Sequence, residues 1–514
     1  MAFVLIGFMG AGKSTAAGEI AEALGTTALD SDDLLAQRLG HPVAREIELN
    51  GEPAFRAAEE QLVSELLDHA APDSVIALGG GSVLSERVRD ALDPHLTVLL
   101  DVDAQTAWER VQHARAEAQR PLARDRDSFT ALHAQRREVY DELADAVLPA
   151  LAPGAAGGVA AALRTLAAAP DGTRLLWASA PSGDYPVLVR RGLLRELECV
   201  WPLDRTRSRC FCVSDERVAA LYGDRLGDVA AMIAIEPGET HKTLAEAERV
   251  WAALVAGAMT RSDHVAALGG GVVGDLAGFC AATYQRGVPV VHVPTTVVAQ
   301  VDSAYGGKTG VDLPEAKNYI GAYHQPAGVL VDPEVLNTLP GPELAAGWVE
   351  VLKTALIAGG RLWEHVSAGG EPDVDTILAC ARTKLAIVAA DERDAGGRQV
   401  LNLGHTVGHA IEAATGYGRY RHGEAVGLGL LAALRLSGLG ELHEQVRELL
   451  RVRGLPLTLE GASAEQVVEA TARDKKRVGP AVPFVLLRAP GEPLIGCEVP
   501  EPELHAAVQE LVAP

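Results

Sequence analysis

The chain has 514 residues, 48% hydrophobic and 22% charged, which suits a folded soluble protein too long for one core, so two or three domains are expected. Its 46 Lys and Arg stand against 69 Asp and Glu, a net charge of −23. Such a surface excludes nucleic acid and anionic membranes as partners, and anionic small molecules would need positive charge gathered locally inside their sites. No run approaches the roughly 18 apolar residues that span a bilayer, and Ala2-Phe3-Val4-Leu5-Ile6 lacks the basic and cleavage segments of a signal peptide. The six cysteines are scattered without metal-ligand spacing, and neither a disulfide nor a chelate is suggested for Cys210 and Cys212. A cytoplasmic protein with reduced thiols is expected.

In chain order, residues 3–7 predict a buried strand, and Gly7-Phe8-Met9-Gly10-Ala11-Gly12-Lys13-Ser14-Thr15 opens a helix running to about Leu24. This is a P-loop in its strand–loop–helix setting. The Gly10-Ala11-Gly12 backbone and the helix N-terminus would cradle the phosphates of ATP. Lys13 would reach the β- and γ-phosphates, and the Ser14 hydroxyl would ligate Mg²⁺, with Thr15 beside it. A short strand, Thr26–Leu29, leads to Asp30-Ser31-Asp32, and Val75–Leu78 is a further strand ending in Gly79-Gly80-Gly81. Phe55-Arg56, Arg120-Pro121-Leu122 and Arg136 supply guanidinium groups.

Together these motifs resemble shikimate kinase over residues 1–169. The resemblance implies that Asp32, Arg56, Gly80 and Arg136 hold shikimate, the two arginines on its carboxylate. Asp30 would help organise Mg²⁺, and Arg120 would close over ATP from a lid at about 110–126. Asp32 would orient or deprotonate the attacking hydroxyl. A gluconate- or nucleotide-type acceptor is the alternative among small-molecule kinases. The Ala-, Gly- and Pro-rich stretch from Pro149 to Gly172 holds a last helix around Val159–Leu166, then a turn, so a linker is placed at 170–175.

Farther on, Pro237-Gly238-Glu239-Thr240-His241-Lys242 is a polar turn suited to ribose or pyrophosphate. His264–Leu268 predicts a strand, and Gly269-Gly270-Gly271-Val272-Val273-Gly274-Asp275 leads into a helix, matching G-x-G-x-x-G. No acidic residue ends a second strand about 20 positions later, so the glycines alone support NAD only in part. The next strand, Val288–Val293, ends in Pro294-Thr295-Thr296. In Asn402-Leu403-Gly404-His405-Thr406-Val407-Gly408-His409, the two histidines share a helix face one turn apart. Thr406 stands where a zinc peptidase has glutamate, which excludes that chemistry. His422-Gly423-Glu424 adds a third imidazole, and Glu350 lies on another predicted helix; a metal site follows, with His405 and His409 the pair that spacing favours.

From about Leu176 to the C-terminus the chain resembles 3-dehydroquinate synthase. The resemblance rests on Gly271…Asp275, Val301-Asp302-Ser303, Gly306-Gly307-Lys308-Thr309-Gly310, Lys317-Asn318, Glu350…Lys353, Lys384, Asp391-Glu392-Arg393, Arg398…Asn402 and His405…His409…His422. It implies an α/β architecture: an N-terminal P-loop kinase with a parallel sheet (1–169), an NAD-binding α/β domain (176–342), and a mainly helical metal- and substrate-binding domain (343–514). It implies Glu350, His405 and His422 as ligands of Zn (or Co), and moves His409 to the substrate. NAD would be held by Asp215, Gly238, Glu239, Thr240, His241 and Lys242; by Gly271, Val272, Val273, Gly274 and Asp275; and by Thr295, Thr296, Lys308, Lys317 and Thr338.

The substrate implied is 3-deoxy-D-arabino-heptulosonate 7-phosphate, cyclised with loss of phosphate. Asp302, Lys308, Asn318, Lys353, Lys384, Arg398, Asn402, His409 and Lys475 or Lys476 would surround it, with Arg286 reaching the phosphate across a homodimer interface. Only eight residues are lysines, and all lie in these motifs: Lys13 in the kinase, and Lys242, Lys308, Lys317, Lys353, Lys384, Lys475 and Lys476 in the cyclase. A compact ammonium is retained where guanidinium would not substitute. Other readings are a related sugar-phosphate cyclase, a half that has become a non-catalytic ligand-binding module, and a zinc alcohol dehydrogenase.

Overall fold

The computed structural model describes residues 1–114, 125–314, 316–471 and 482–513; Arg120 and most of the expected lid, and Lys475 and Lys476, lie outside the described residues. Two compact units emerge: Met1–Ser179 with Asp184–Leu188 and Glu198–Pro202, and the remainder of the chain. No helix among the described residues is long and apolar enough to cross a membrane.

The first unit is built on strands β1 (Phe3–Ile6), β2 (Ala28–Asp30), β3 (Val75–Ala77), β4 (Leu96–Asp101), β5 (Ala146–Pro149), β6 (Arg174–Ala178) and β7 (Tyr185–Val189). Their order is β2-β3-β1-β4-β5-β6-β7, parallel from β2 through β6. Every residue of β1 is buried, the pattern of a central parallel strand covered on both faces. β1, β2 and β3 stand side by side, so the P-loop after β1, Asp30-Ser31-Asp32 after β2 and the glycine triplet after β3 share one edge. That is where open parallel sheets bind ligands. A long helix, Val43–Asp68, kinks at Gly51 (φ 83°) and carries Arg56.

In the second unit, β8 (Cys210–Asp215), β9 (Ala231–Ile235), β10 (His264–Gly269), β11 (Val290–Pro294), β12 (Lys308–Leu313), β13 (Ala316–Tyr323) and β14 (Gly328–Val331) follow. β14-β11-β10-β8-β9 is a parallel sheet, while β12 and β13 form an antiparallel hairpin. Phe211, Val265, Leu276 and Val290 belong to one core between the sheet and the helix Gly271–Thr283. Cys210 and Cys212 are both buried; as residues i and i+2 of one strand they share a face, not opposite faces, and both are free thiols. After residue 340 the unit is mainly helical, including Gly341–Ala358, Val374–Ala390, His405–Ala414 and His422–Leu436. The last two helices approach closely because glycines face one another: a Cβ on Gly429 would lie 2.8 Å from Gly408 N, and one on Gly408 3.1 Å from Val426 Cα.

Candidate active sites

In the first unit the P-loop turns through left-handed backbone at Gly10 (φ 82°) and Gly12 (φ 95°) before the helix Lys13–Leu24. A Cβ on Gly10 would lie 3.0 Å from Val111 Cγ2 and would run into the Ala107 carbonyl, so glycine there is a steric requirement. Lys13 Nζ donates to the Gly7 and Phe8 carbonyls at 2.8 and 3.2 Å, arching over the loop, while Ser14 and Thr15 are exposed. Arg110 donates to the Ala11 carbonyl at 2.9 Å. Asp30 caps the helix Ser31–Leu39, accepting from Asp32 N at 2.9 Å, which leaves the Asp32 side chain at the sheet edge.

The glycine triplet has a purpose its sequence alone does not disclose. A Cβ on Gly79 would lie 2.6 Å from Glu59 Oε1 and 2.9 Å from Asp32 Oδ1, and one on Gly81 2.7 Å from an Arg56 nitrogen. The bare backbone makes room for the protein's own charged side chains. Arg56 is gripped by Glu59 at 2.6 Å and Glu52 at 3.3 Å, and Glu59, nearly buried, also accepts from Ser82 Oγ at 2.7 Å. Arg136 donates to the Gly80 carbonyl at 3.1 Å, and Tyr140 to the same carbonyl at 2.5 Å; burial pushes the Tyr140 phenol up to about 12. Arg136 is buried, with a hydrogen-bonding nitrogen left unmatched. Asp32, Arg56, Gly80 and Arg136 thus share one edge. Glu59 was not singled out in the sequence, although its i,i+3 spacing from Arg56 was a signal.

In the second unit a cavity of about 1140 Å³ opens at the carboxyl ends of the strands. Gly271, Val272, Val273 and Asp275 line it, as do Thr295, Thr296 and Thr338. The close junction of β10 and the helix depends on Gly269, whose Cβ would lie 2.6 Å from Val273, and on Gly270, 2.8 Å from Thr296. An acidic residue does reach this crevice: Asp215 ends β8, the neighbour of β10 on the other side from β11, and lines the cavity. The resemblance implied Asp215; the glycine motif alone did not, because β8 precedes it in the chain. Gly238, Glu239, Lys242, Lys317 and Asn318 line the cavity too, whereas Thr240, His241 and Gly274 do not.

Lys242, 3% exposed, is a hub: Glu239 lies 2.7 Å away, Asn318 Oδ1 2.9 Å, Asp275 3.3 Å and Asp312 3.8 Å. Burial alone would lower its ammonium, but these carboxylates raise it above the usual range. Burial pushes Asp275 up to about 6, against the pull of Lys242. Asp312 also accepts from Asn318 N at 2.7 Å, holding that residue in left-handed backbone (φ 56°).

The second cluster is deeper. Glu350 is fully buried, and its partners are all cationic or imidazole nitrogens. Facing it are Lys353 Nζ at 2.5 Å, His422 Nε2 at 3.5 Å and His405 Nε2 at 3.6 Å. His405, His409 and His422 hold ligand atoms within 4.8 Å of one another. A buried carboxylate with one oxygen turned to converging imidazoles is a donor set that fits a zinc- or cobalt-type cation. Burial opposes ionisation of Glu350, yet Lys353 and the two imidazoles hold its carboxyl well below the usual range. Burial likewise opposes protonation of His422, but Glu350 and Glu412 hold it up at about 10.

Lys353 also pairs with Asp302 at 3.3 Å, and Lys384 pairs with the same carboxylate. Burial opposes ionisation of Asp302, but the two ammonium groups bring it to about 2; burial lowers Lys384. Asp302, His409 and His422 line the cavity, while Glu350, Lys353, Lys384 and His405 stand behind it. Arg398 is buried against the Glu392 and Gly306 carbonyls at 2.7 and 3.1 Å; Asn402 ends the same 3₁₀ turn. Lys308 is turned to Asp394 at 2.5 Å, and Arg286 is exposed in left-handed backbone (φ 70°); neither lines the cavity.

The shikimate kinase family matches residues 9–156, the 3-dehydroquinate synthase N-terminal family residues 232–346, and its C-terminal family residues 347–477. Over 355 residues the chain is 42% identical to the 3-dehydroquinate synthase of Halorhodospira halophila (strain DSM 244 / SL1), covering 66% of this chain and all of that one. The chain belongs to the 3-dehydroquinate synthase family. With the shikimate kinase domain ahead of it, it is a bifunctional shikimate-pathway enzyme, a phosphotransferase joined to a carbon–oxygen lyase. Among solved structures, 2-epi-5-epi-valiolone synthase from Streptomyces hygroscopicus subsp. jinggangensis 5008, with NAD⁺ and Zn²⁺ bound, is 26% identical, with 65% of this chain and 98% of that one covered and a TM-score of 0.59. A 2-deoxy-scyllo-inosose synthase complexed with carbaglucose-6-phosphate, NAD⁺ and Co²⁺ is 23% identical, at 66% and 100% coverage and a TM-score of 0.59, a likeness of fold.

Proposed function

We propose that the two catalytic centres of this enzyme are the sheet-edge cluster of the first unit and the cavity of the second, each acting alone. In the kinase, Lys13 would exchange the Gly7 and Phe8 carbonyls for the β- and γ-phosphates of ATP, with Gly10, Ala11, Gly12 and Thr15 around them and Ser14 on Mg²⁺. Arg56 and Arg136 would take the shikimate carboxylate over Gly80, and Asp32 would orient the attacking hydroxyl. Positioning and charge neutralisation are most of what phosphoryl transfer requires. Arg120 is assigned to the ATP lid.

In the cyclase, Glu350, His405 and His422 would hold a zinc or cobalt ion, which supplies Lewis-acid polarisation of the hydroxyl to be oxidised. NAD supplies a hydride acceptor that is restored within each cycle, and the residues around Gly271, the Lys242 hub, Thr295, Thr296 and Lys317 would hold it. The observation that carries this reading is the fully buried Glu350 carboxylate, paired with Lys353 through one oxygen and facing two imidazoles at 3.5–3.6 Å with the other, beside a nucleotide-sized cavity.

Asp302 keeps Lys353 and Lys384 charged and in place, so that their ammonium groups can anchor the anionic substrate and stabilise charge that develops on it. Asn318, Arg398, Asn402, His409, Lys308 and one of Lys475 and Lys476 complete the substrate shell. Arg286 is assigned to a phosphate across a homodimer interface, which its exposure permits. Metal analysis of the purified chain, with assay on several sugar phosphates, tests the reading. About one bound divalent ion per chain and formation of 3-dehydroquinate without net NADH support it. Product from another sugar phosphate only would make the second unit a related cyclase, and net NADH would make it a dehydrogenase.

A further inference from the structure

Glu412 belongs to none of the roles above, yet it occupies the junction between two of them. It follows His405 and His409 at i+7 and i+3, on the same face of the helix His405–Ala414. Its side chain is 5% exposed, and its two carboxylate oxygens face different partners. Oε2 lies 3.3 Å from His422 Nδ1, the ring nitrogen opposite the one that faces Glu350. Oε1 lies 3.2 Å from Lys317 Nζ, which the Tyr417 ring also supports, 4.7 Å from ring centroid to nitrogen. Lys317, Glu412, Tyr417 and His422 all line the cavity.

We infer that Glu412 is a positioning residue that couples the metal site to the nucleotide site, by holding His422 for the metal with one oxygen and Lys317 for the nucleotide with the other. The inference rests on the metal and NAD assignment proposed above. A carboxylate that accepts from Nδ1 fixes the imidazole with Nε2 free to coordinate and raises its basicity. Once the metal has fixed His422, the Glu412 carboxylate loses its freedom to turn, and Lys317 is held ready against the cavity. The same linkage must run in reverse, because coupling between two binding equilibria is reciprocal.

The test needs no turnover. The full-length chain is stripped of metal by chelation, and zinc affinity is measured by competition with a chromophoric chelator, with and without saturating NAD⁺. In the wild type NAD⁺ is expected to tighten zinc at least about 5-fold, the lower end of ordinary coupling. Glu412→Gln keeps the shape and removes the charge. It is expected to weaken zinc in the absence of nucleotide by about 10-fold or more, and to bring the NAD⁺ effect close to 1-fold. Glu412→Asp, with the charge retained, is expected to recover part of both. Two results would overturn the inference: a wild type that binds both ligands without influence of one on the other, or a Glu412→Gln protein with unchanged zinc affinity and coupling. A wild type that binds neither zinc nor NAD⁺ would remove the underlying site assignment as well, so the two failures are told apart.

Discussion

Glu350 shows how much of the cyclase hangs on single atoms. Its buried carboxylate is paired with Lys353 and faces His405 and His422. Glu350→Gln should therefore lose bound metal and at least 100-fold in cyclisation, while phosphoryl transfer to shikimate is unchanged. Metal content and the two assays check this; retention of full metal would contradict it. At the same scale, His264 and His292 are buried and neutral, burial lowering each to about 4 from 6.5. Between those values the unfolded chain binds more protons than the folded one, so stability is present above about pH 6.5 and is lost as pH falls toward 4. Each contributes up to roughly 3 kcal/mol over that window. His292→Gln should flatten the fall in urea midpoint of the second unit between pH 7 and pH 4; parallel curves for variant and wild type would count against it.

Among elements, the glycine-rich turns carry the most testable geometry. Gly81→Ala would press a methyl group into the Arg56 guanidinium, 2.7 Å from one of its nitrogens, and displace it from Glu59. The expected outcome is a KM for shikimate raised about 10-fold, with the KM for ATP little changed, because the P-loop lies after a different strand. Equal effects on both would mean that the sheet edge as a whole had shifted.

These turns also mark what the sequence disclosed and what it did not. The P-loop and the His405–His409 face were legible, since they are local patterns with a fixed period. The strands bearing the motifs were found to within two residues, because their apolar runs are short and bounded by glycine, proline or aspartate. Glu59 and Glu412 were legible neither in pattern nor in resemblance, and Asp215, which the resemblance implied, was not derivable from pattern. Asp215 depends on strand order, Glu59 on a turn arriving from another strand, and Glu412 on a helix–hairpin contact ninety-five positions apart along the chain. The glycine triplet at 79–81 was legible as bare backbone, but only the packing shows that Arg56, Asp32 and Glu59 fill the space.

At the scale of the whole molecule, the lysine distribution finds its reason. Lys13 arches over the P-loop, while Lys242, Lys353 and Lys384 are nearly buried among carboxylates, where a point charge on a flexible stem makes contacts that a planar fork would not. An acidic chain with anionic substrates thus concentrates cationic charge inside its sites. The two reactions are not consecutive in the pathway, so no product passes directly between them and the activities are separable. The most direct measurement is to assay both reactions and bound metal on intact wild-type, Lys13→Ala and His405→Ala proteins. Lys13→Ala should abolish shikimate phosphorylation while metal and cyclisation stay at wild-type levels. His405→Ala should lose metal and cyclisation and leave phosphorylation intact. Loss of both activities in either folded variant, or of neither, would contradict this separation.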